Sequence, residues 1–297
     1  MGLSINQNIA AVNSYRNLSN TQNDLAKSLE KLSSGFRINR AADDAAGLAI
    51  SEGLRSQVGG LKVAARNAQD GISVVQTAEG ALTEVHSILQ RLRDLGVQGA
   101  NDSNNTEART NIDTEADSLV AELDRIAKST NFNGTTLLNK TGAAAQLKFQ
   151  VGADGDANSA ITVDLESANV SAVATALSAA FAAATRDGNG VVTAVGSGLD
   201  FSTHGNAQDS IALIDAQISE VSTARAELGA YQNRFEHTIK NINVAVENLS
   251  ASESRIRDTD MASEMVSFTR AQILSQAGTA MLAQANQIPQ GVLSLLR

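Results

Sequence analysis

The side chains able to do chemistry in this 297-residue chain are few, and their spacing argues against a catalytic centre. Histidines stand only at His86, His204 and His237, without the short ligand-like spacing to acidic neighbours that a metal site or general base needs. They read as polar surface positions, His86 and His237 on helices and His204 in a polar loop. Asp43-Asp44, inside Arg40-Ala41-Ala42-Asp43-Asp44-Ala45-Ala46-Gly47, is a paired carboxylate suited in principle to proton exchange. At a helix start the same pair caps free N–H groups and faces the positive end of the helix dipole, with Arg37 and Arg40 at hand to neutralise it, so capping is the preferred reading. Preceded by Ser33-Ser34-Gly35, this stretch is expected to be a hinge and cap, carried by Gly35, Asp43, Asp44 and Gly47.

Other motifs lead to equally plain readings. Gly152-Ala153-Asp154-Gly155-Asp156 suits a turn, because it lacks the twelve-residue frame and closing Glu of a calcium loop. Asn133-Gly134-Thr135, Asn139-Lys140-Thr141 and Asn169-Val170-Ser171 have the form of N-glycosylation acceptors, but a chain this rich in Asn and Ser supplies such triplets by chance. The absence of cysteine removes disulfides, Cys-ligated zinc and thiol catalysis together. No metal, no cofactor and no enzymatic activity are expected.

The elements that would position these residues are long helices. A seven-residue apolar repeat runs through Leu54, Val58, Leu61, Ala65, Ala68, Ile72, Val75, Leu82, Val85, Leu89 and Leu92, broken at Glu79. Gly59-Gly60 and Gly71 each cost roughly 1 kcal/mol relative to Ala, so tertiary packing must hold this helix. A more regular repeat runs from Ile211 through Ile214, Ile218, Val221, Leu228, Tyr231, Phe235, Ile239, Ile242, Val246 and Leu249 to Ile256, with Arg225 and Glu253 in two core slots. At helical rise, residues 211–256 would make a rod of about 69 Å. Between them Ile112, Leu119, Leu123 and Ile126 mark a shorter helix after the polar turn at 101–105, and three antiparallel helices can close a bundle.

The middle changes period. Leu147-Lys148-Phe149-Gln150-Val151 and Ile161-Thr162-Val163-Asp164-Leu165 alternate around a loop and predict a β-hairpin. An Ala-rich helix at 171–185, a turn at 187–190 and an apolar run at 191–195 follow. Both chain ends are amphipathic without a partner of their own: Ile5, Ile9, Val12, Leu18, Leu25, Leu29 and Leu32 at one, and Met261, Met265, Phe268, Met281, Ile288, Val292 and Leu295 at the other. Pairing the two ends with each other, and burying what remains against further copies, would meet both needs.

Composition agrees with packed helices and excludes several partners. Apolar residues make up 42% of the chain, with no Trp, two Tyr, seven Phe and one proline, Pro289, expected outside the helix interiors. A net charge of −9 with no basic run gives phosphates no general attraction, so nucleic acid is not a partner. No run of about 18 apolar residues exists to span a membrane. Met1 to Asn8 lacks the basic and apolar segments of a general secretory signal peptide.

At the two ends a family resemblance emerges. Leu32-Ser33-Ser34-Gly35-Phe36-Arg37-Ile38-Asn39 and Asp43-Asp44-Ala45-Ala46-Gly47-Leu48-Ala49-Ile50-Ser51 resemble the N-terminal signature of bacterial flagellins. Glu247-Asn248-Leu249, Ser254-Arg255-Ile256-Arg257-Asp258-Thr259-Asp260-Met261-Ala262 and Met281-Leu282-Ala283-Gln284-Ala285-Asn286-Gln287 are similar to the flagellin C-terminus. With Asn67 to Gly80 and Leu89 to Gln98, the likeness covers roughly residues 1–140 and 205–297, leaving an insert of about sixty residues.

The resemblance implies a mainly α fold of long antiparallel helical rods and paired N- and C-terminal coiled-coil helices, with a small β-hairpin insert. It divides the chain into an inner terminal domain (1–45 plus 256–297), a helical rod domain (46–144 plus 206–255) and a variable insert (145–205). It implies type III export without a cleaved signal, a place in the extracellular flagellar filament, and self-assembly into a helical homopolymer that serves swimming. Inner-tube contacts would fall to Ile5, Ile9, Val12, Met281, Ile288, Val292 and Leu295. Cap, junction proteins and an export chaperone are the implied protein partners. Recognition by the vertebrate flagellin-sensing Toll-like receptor would involve Arg91, Leu95 and Glu115, the first two at i,i+4 on one helix and the third beside them on an antiparallel return. Asp94, in place of the usual Glu, and Gly96 and Gly99 depart from that pattern and would soften the helix.

Three rivals are distinguishable. A hook-filament junction protein shares the paired-terminus plan but assembles only as a short ring, so it would not elongate seeds. A metal-dependent enzyme on the same scaffold needs a constellation such as His-Glu-x-x-His in the insert, which holds one histidine. A signalling or adhesive helical module would bind surfaces without polymerising.

Overall fold

The computed structural model describes the backbone at 8–181, 185–186 and 192–295 and the side chains at 8–181 and 195–287. Six helices dominate: α1 (Ile9–Ser34), α2 (Ala45–Gly99), α3 (Thr106–Ser129), α4 (Val170–Ser178), α5 (His204–Arg257) and α6 (Met261–Leu295). Three antiparallel strand pairs lie between α3 and α5: β1 (Asn131–Phe132) with β2 (Thr135–Thr136), β3 (Gln146–Gln150) with β4 (Ala160–Asp164), and β5 (Thr185–Arg186) with β6 (Val192–Ala194). The chain forms two compact units, one of Met1–Val58 with Val246–Arg297 and one of Gly59–Ala245. None of the described helices is long and apolar enough to cross a membrane.

In the Gly59–Ala245 unit, α2, α3 and α5 enclose one core that includes Leu82, Leu89, Leu92, Leu123, Leu228 and Phe235. The heptad seam is real, but part of its register differs from the expected one. Burial falls on Ala64, Gly71 and Ala78 rather than on Ala65, Ile72 and Glu79, and on Ala224 rather than Arg225. The reason is close approach: a Cβ added at Gly71 would lie 2.8 Å from Cζ of Phe235, so only glycine admits that ring. Ile72 still packs at the margin of the core. Glu79 and Arg225, two of the three charges that interrupt the repeats, meet each other there at 3.9 Å.

Gly96 and Gly99 likewise form a notch. An added Cβ would lie 2.8 Å from Ile211 at the first and 2.9 Å from Phe201 at the second, and Phe201 is fully enclosed. The segment around Phe201 is pinned by polar contacts as well. Its N–H donates to Asp113 at 3.2 Å, and the Arg109 guanidinium donates to the Ser202 carbonyl at 2.7 Å. Burial pushes the Asp113 carboxyl up, against the lowering effect of the Phe201 N–H, and the Asp200 and Asp117 carboxylates raise it further. His204, expected in a loop, is the first residue of α5, with Nδ1 2.5 Å from the Ala100 carbonyl oxygen.

The hairpin appears one residue earlier than its period suggests, with Leu147 opposite Val163 and Phe149 opposite Ile161. Phe149 meets Phe235 edge to face at 5.5 Å, and the Asn67 amide donates to the Gln150 carbonyl at 3.0 Å, which fixes the hairpin on the bundle. Gly60 lets Ala153 of the hairpin loop approach, since an added Cβ would be 3.0 Å from that residue's own. The Ala-rich helix is shorter than expected: Asn169 caps it, it ends at Ser178, and Thr185 belongs to a strand. The expected turn at 187–190 lies outside the described residues.

Candidate functional site

In the other unit, α1 packs against α6. The contact face of α1 is a strict 3-4 stripe of Ala11, Ser14, Leu18, Thr21, Leu25, Ser28 and Leu32, and that of α6 is Glu264, Phe268, Ala271, Ser275, Gly278, Leu282 and Ala285. Most of these side chains are small or polar. A Cβ added at Gly278 would lie 3.1 Å from Cδ1 of Leu18, so the helices come close there. Lys31 pairs with Glu264 at 3.8 Å near the opposite end.

Leu18, Leu25, Leu32, Phe268 and Leu282 are the large apolar members of these faces, and several others point elsewhere. At 100° per residue Ile9 falls opposite Leu18 on α1 and Val12 about 120° from it, and they are 66% and 65% exposed. On α6, Val266, Ile273, Leu274 and Met281 are exposed as well. The expected run from Ile5 to Leu32 therefore mixes two faces, one given to the intrachain partner and one left open. Ile5 and the side chains of Ile288, Val292 and Leu295 lie outside the described residues.

Asn8 joins the helix ends by two bonds. Its Oδ1 accepts the Ala11 N–H at 3.1 Å as the α1 N-cap, and its Nδ2 donates to the Ala285 carbonyl at 2.8 Å. That carbonyl is the one left without its helical donor by Pro289, four residues on, which has no N–H. Pro289, expected outside a helix, thus lies within α6, its backbone defect compensated from the partner helix. Asn8→Ala is expected to destabilise the helix pair by about 1–2 kcal/mol. In a Pro289→Ala background, where residue 289 again supplies an N–H, the loss should shrink to the capping part, about 1 kcal/mol or less. A double-mutant cycle read by amide exchange at Ala11 checks this, and equal losses in both backgrounds would refute the coupling.

The segment expected to be a hinge is held by a short crossing of chain segments. Phe36 and Asp258 form an antiparallel bridge, the Arg37 N–H donates to the Arg257 carbonyl at 2.6 Å, and the Thr259 N–H donates to Gly35 at 2.9 Å. Gly35 ends α1 in the left-handed region at φ 75°, where a side chain would be strained. The Arg257 guanidinium lies over the Phe36 ring at 4.6 Å and reaches Glu52 at 2.8 Å. Asp43 caps the Asn39–Arg40 turn, and the N–H groups of Arg40 and Asn39 hold its carboxyl below the usual range. Its contribution is present above the ordinary carboxylate range and is lost as pH falls through the lowered value. Asp44 accepts the Gly47 N–H at 2.8 Å, and a Cβ at Gly47 would strike that carboxylate and Ile38.

Arg91 and Glu115 meet as the antiparallel geometry of α2 and α3 requires, with guanidinium bonds of 2.9 and 2.6 Å to one carboxylate oxygen. Leu95, on the same helix, is 1% exposed and belongs to the core. Because the ion pair is solvated, Glu115→Ala is expected to shift the unfolding free energy by less than about 1 kcal/mol, measured as a urea midpoint. Among the described residues no group of three or more His, Asp or Glu could hold a metal ion. The 152–156 loop is closed by the Gln150 amide, which donates to the carbonyls of Gly152 and Asp154.

One turn escaped the sequence reading. Asn133 and Gly134, considered there only as a glycosylation triplet, both have positive φ (49° and 79°) and form the tight turn between β1 and β2. The Asn-Gly dipeptide was the available signal.

Comparison with known proteins now adds to this geometry. Residues 5–143 match the family model of the bacterial flagellin N-terminal helical region, and residues 211–296 that of the bacterial flagellin C-terminal helical region. A flagellin of Halalkalibacterium halodurans is 52% identical over 293 residues, 99% of each chain. A flagellin of Bacillus subtilis is 47% identical over 314 aligned positions, again 99% of each. The flagellar filament 33 kDa core protein of Treponema phagedenis is 46% identical, also over 99% of both. Covered nearly end to end by these relatives and matched at both helical ends, the chain belongs to the bacterial flagellin family, as a structural subunit of the flagellar filament that drives swimming.

Proposed function

We propose that subunits leave the cell through the flagellar type III apparatus and add to a growing filament by burying the open faces of α1 and α6 against other copies. The observation that supports this is the apolar surface the helix pair leaves uncovered: the intrachain contact takes Leu18, Leu25, Leu32, Phe268 and Leu282 among small and polar side chains, while Ile9, Val12, Ile273, Leu274 and Met281 remain exposed. A soluble monomer gains nothing from such an arrangement, whereas a heterologous, non-closing contact between copies turns it into a helical polymer. Ile5, Ile9, Val12, Met281, Ile288, Val292 and Leu295 are the proposed inner-tube contacts, within an inner domain of 1–45 and 256–297. Gly35, Asp43, Asp44 and Gly47 connect it to the outer helical domain of 46–144 and 206–255, which carries the 145–205 insert.

Cap and junction proteins and an export chaperone are the further partners of this reading. Arg91 and Glu115 are the groups offered to a vertebrate flagellin-sensing receptor, with Leu95 securing their helix face from within. The deciding experiment is seeded growth: purified chain added to sheared filaments should lengthen them under the electron microscope. Growth that stops after a short ring would favour a junction protein, and no growth would refute the reading.

A further inference from the structure

The described methionines are confined to one element. Met261, Met265 and Met281 all lie on α6 and are 48%, 49% and 63% exposed. The chain has no cysteine and no tryptophan, so thioethers are its most readily oxidised side chains, and they stand on an assembly helix. Met265 also lines a surface groove of α6 with Val266, Ile273 and Leu274, where a polar oxygen would interrupt an apolar patch.

From this placement we propose that Met261, Met265 and Met281 form an oxidation site at which peroxides block subunit addition to the filament. The inference rests on the assembly reading above. In the reaction a sulfur lone pair attacks one peroxide oxygen, the O–O bond breaks and an S=O bond forms. Sulfur gives up two electrons, the second oxygen takes both protons and leaves as water, and the thioether becomes a sulfoxide. A sulfoxide is a strong hydrogen-bond acceptor, so burying it against another copy without a donor is costly where burying a thioether is favourable. Contacts that exclude water from these side chains in a filament also exclude peroxide. Oxidation therefore acts on free subunits and spares assembled ones.

The test treats the full chain with hydrogen peroxide, locates sulfoxides by peptide mapping and measures seeded elongation. Oxidised chain is expected to elongate on the order of tenfold more slowly or worse, with unchanged helix content by circular dichroism. Methionine sulfoxide reductases of both stereospecificities should restore the rate. A Met261→Leu, Met265→Leu, Met281→Leu chain should elongate equally with and without peroxide. Preformed filaments should keep their α6 thioethers under conditions that oxidise free chain. Full oxidation at the three positions with an unchanged rate overturns the inference while leaving the assembly reading intact, as does equal slowing of the leucine variant. Untreated chain that fails to elongate overturns both.

Discussion

A chain lacking residues 1–34 is expected to add no measurable length to filament seeds, while its Gly59–Ala245 unit unfolds in urea at nearly the full-length midpoint. Removing α1 leaves the α6 stripe from Glu264 to Ala285 without its partner and deletes Ile9 and Val12 from the open face. The Gly59–Ala245 unit loses nothing, because its core draws on α2 to α5 and the hairpin. Electron microscopy after seeding and near-ultraviolet circular dichroism separate the two effects. Filaments built from the shortened chain would show that the terminal pair is dispensable and would end this account of assembly.

Phe235→Ala is expected to cost the Gly59–Ala245 unit about 3–5 kcal/mol, the range for emptying a buried aromatic site. The ring is fully enclosed, sits against Gly71 of α2 and meets Phe149 edge to face, so its loss opens a void where helix, helix and hairpin converge. Set against a total of roughly 5–15 kcal/mol for an ordinary domain, that is a large fraction. Gly71→Val tests the same junction from the other side, because its Cβ would start 2.8 Å from an enclosed ring that has nowhere to move. Urea unfolding of both variants is the measurement. A midpoint within error of the parent for either would mean the junction repacks.

Which parts of this were legible in the sequence follows from the range of the forces involved. The long helices and the β3–β4 hairpin could be read because their periods are local, and Leu147 to Val151 alternate whatever lies opposite. Register was less legible. Ala64 and Ala65 are the same side chain, Gly71 is poorer in apolar surface than Ile72, and it is the Phe235 ring on another helix that selects Gly71. Phe201 could not be placed at all, since it stands in a mostly polar stretch without a period and the glycine notch that receives it lies about a hundred residues earlier. The same holds for Asn8 and Ala285, whose bond joins opposite ends of the chain.

Among the candidate contacts, the pairing of Arg91 with Glu115 was accessible from helix spacing and an antiparallel return, but the enclosure of Leu95 was not. At the termini amphipathicity was evident, but it did not separate the intrachain face from the open one. The intrachain partner takes a stripe that alternates Leu18, Leu25 and Leu32 with Ala, Ser and Thr, while Ile9, Val12, Tyr15 and Leu29 stay exposed.

That stripe has a thermodynamic consequence. A helix pair in which alanine, serine, threonine and glycine alternate with a few leucines and one phenylalanine releases less solvent when it closes than a leucine seam would, so on the assembly reading part of the conformational entropy of ordering it is met when neighbouring copies dock. Each addition is then a folding event as well as a binding event, and the filament tip serves as the template for it. Thermal stability of the terminal helices should consequently climb with polymer concentration while that of the Gly59–Ala245 unit stays constant, and a subunit released from the tip should forfeit that order together with its contacts.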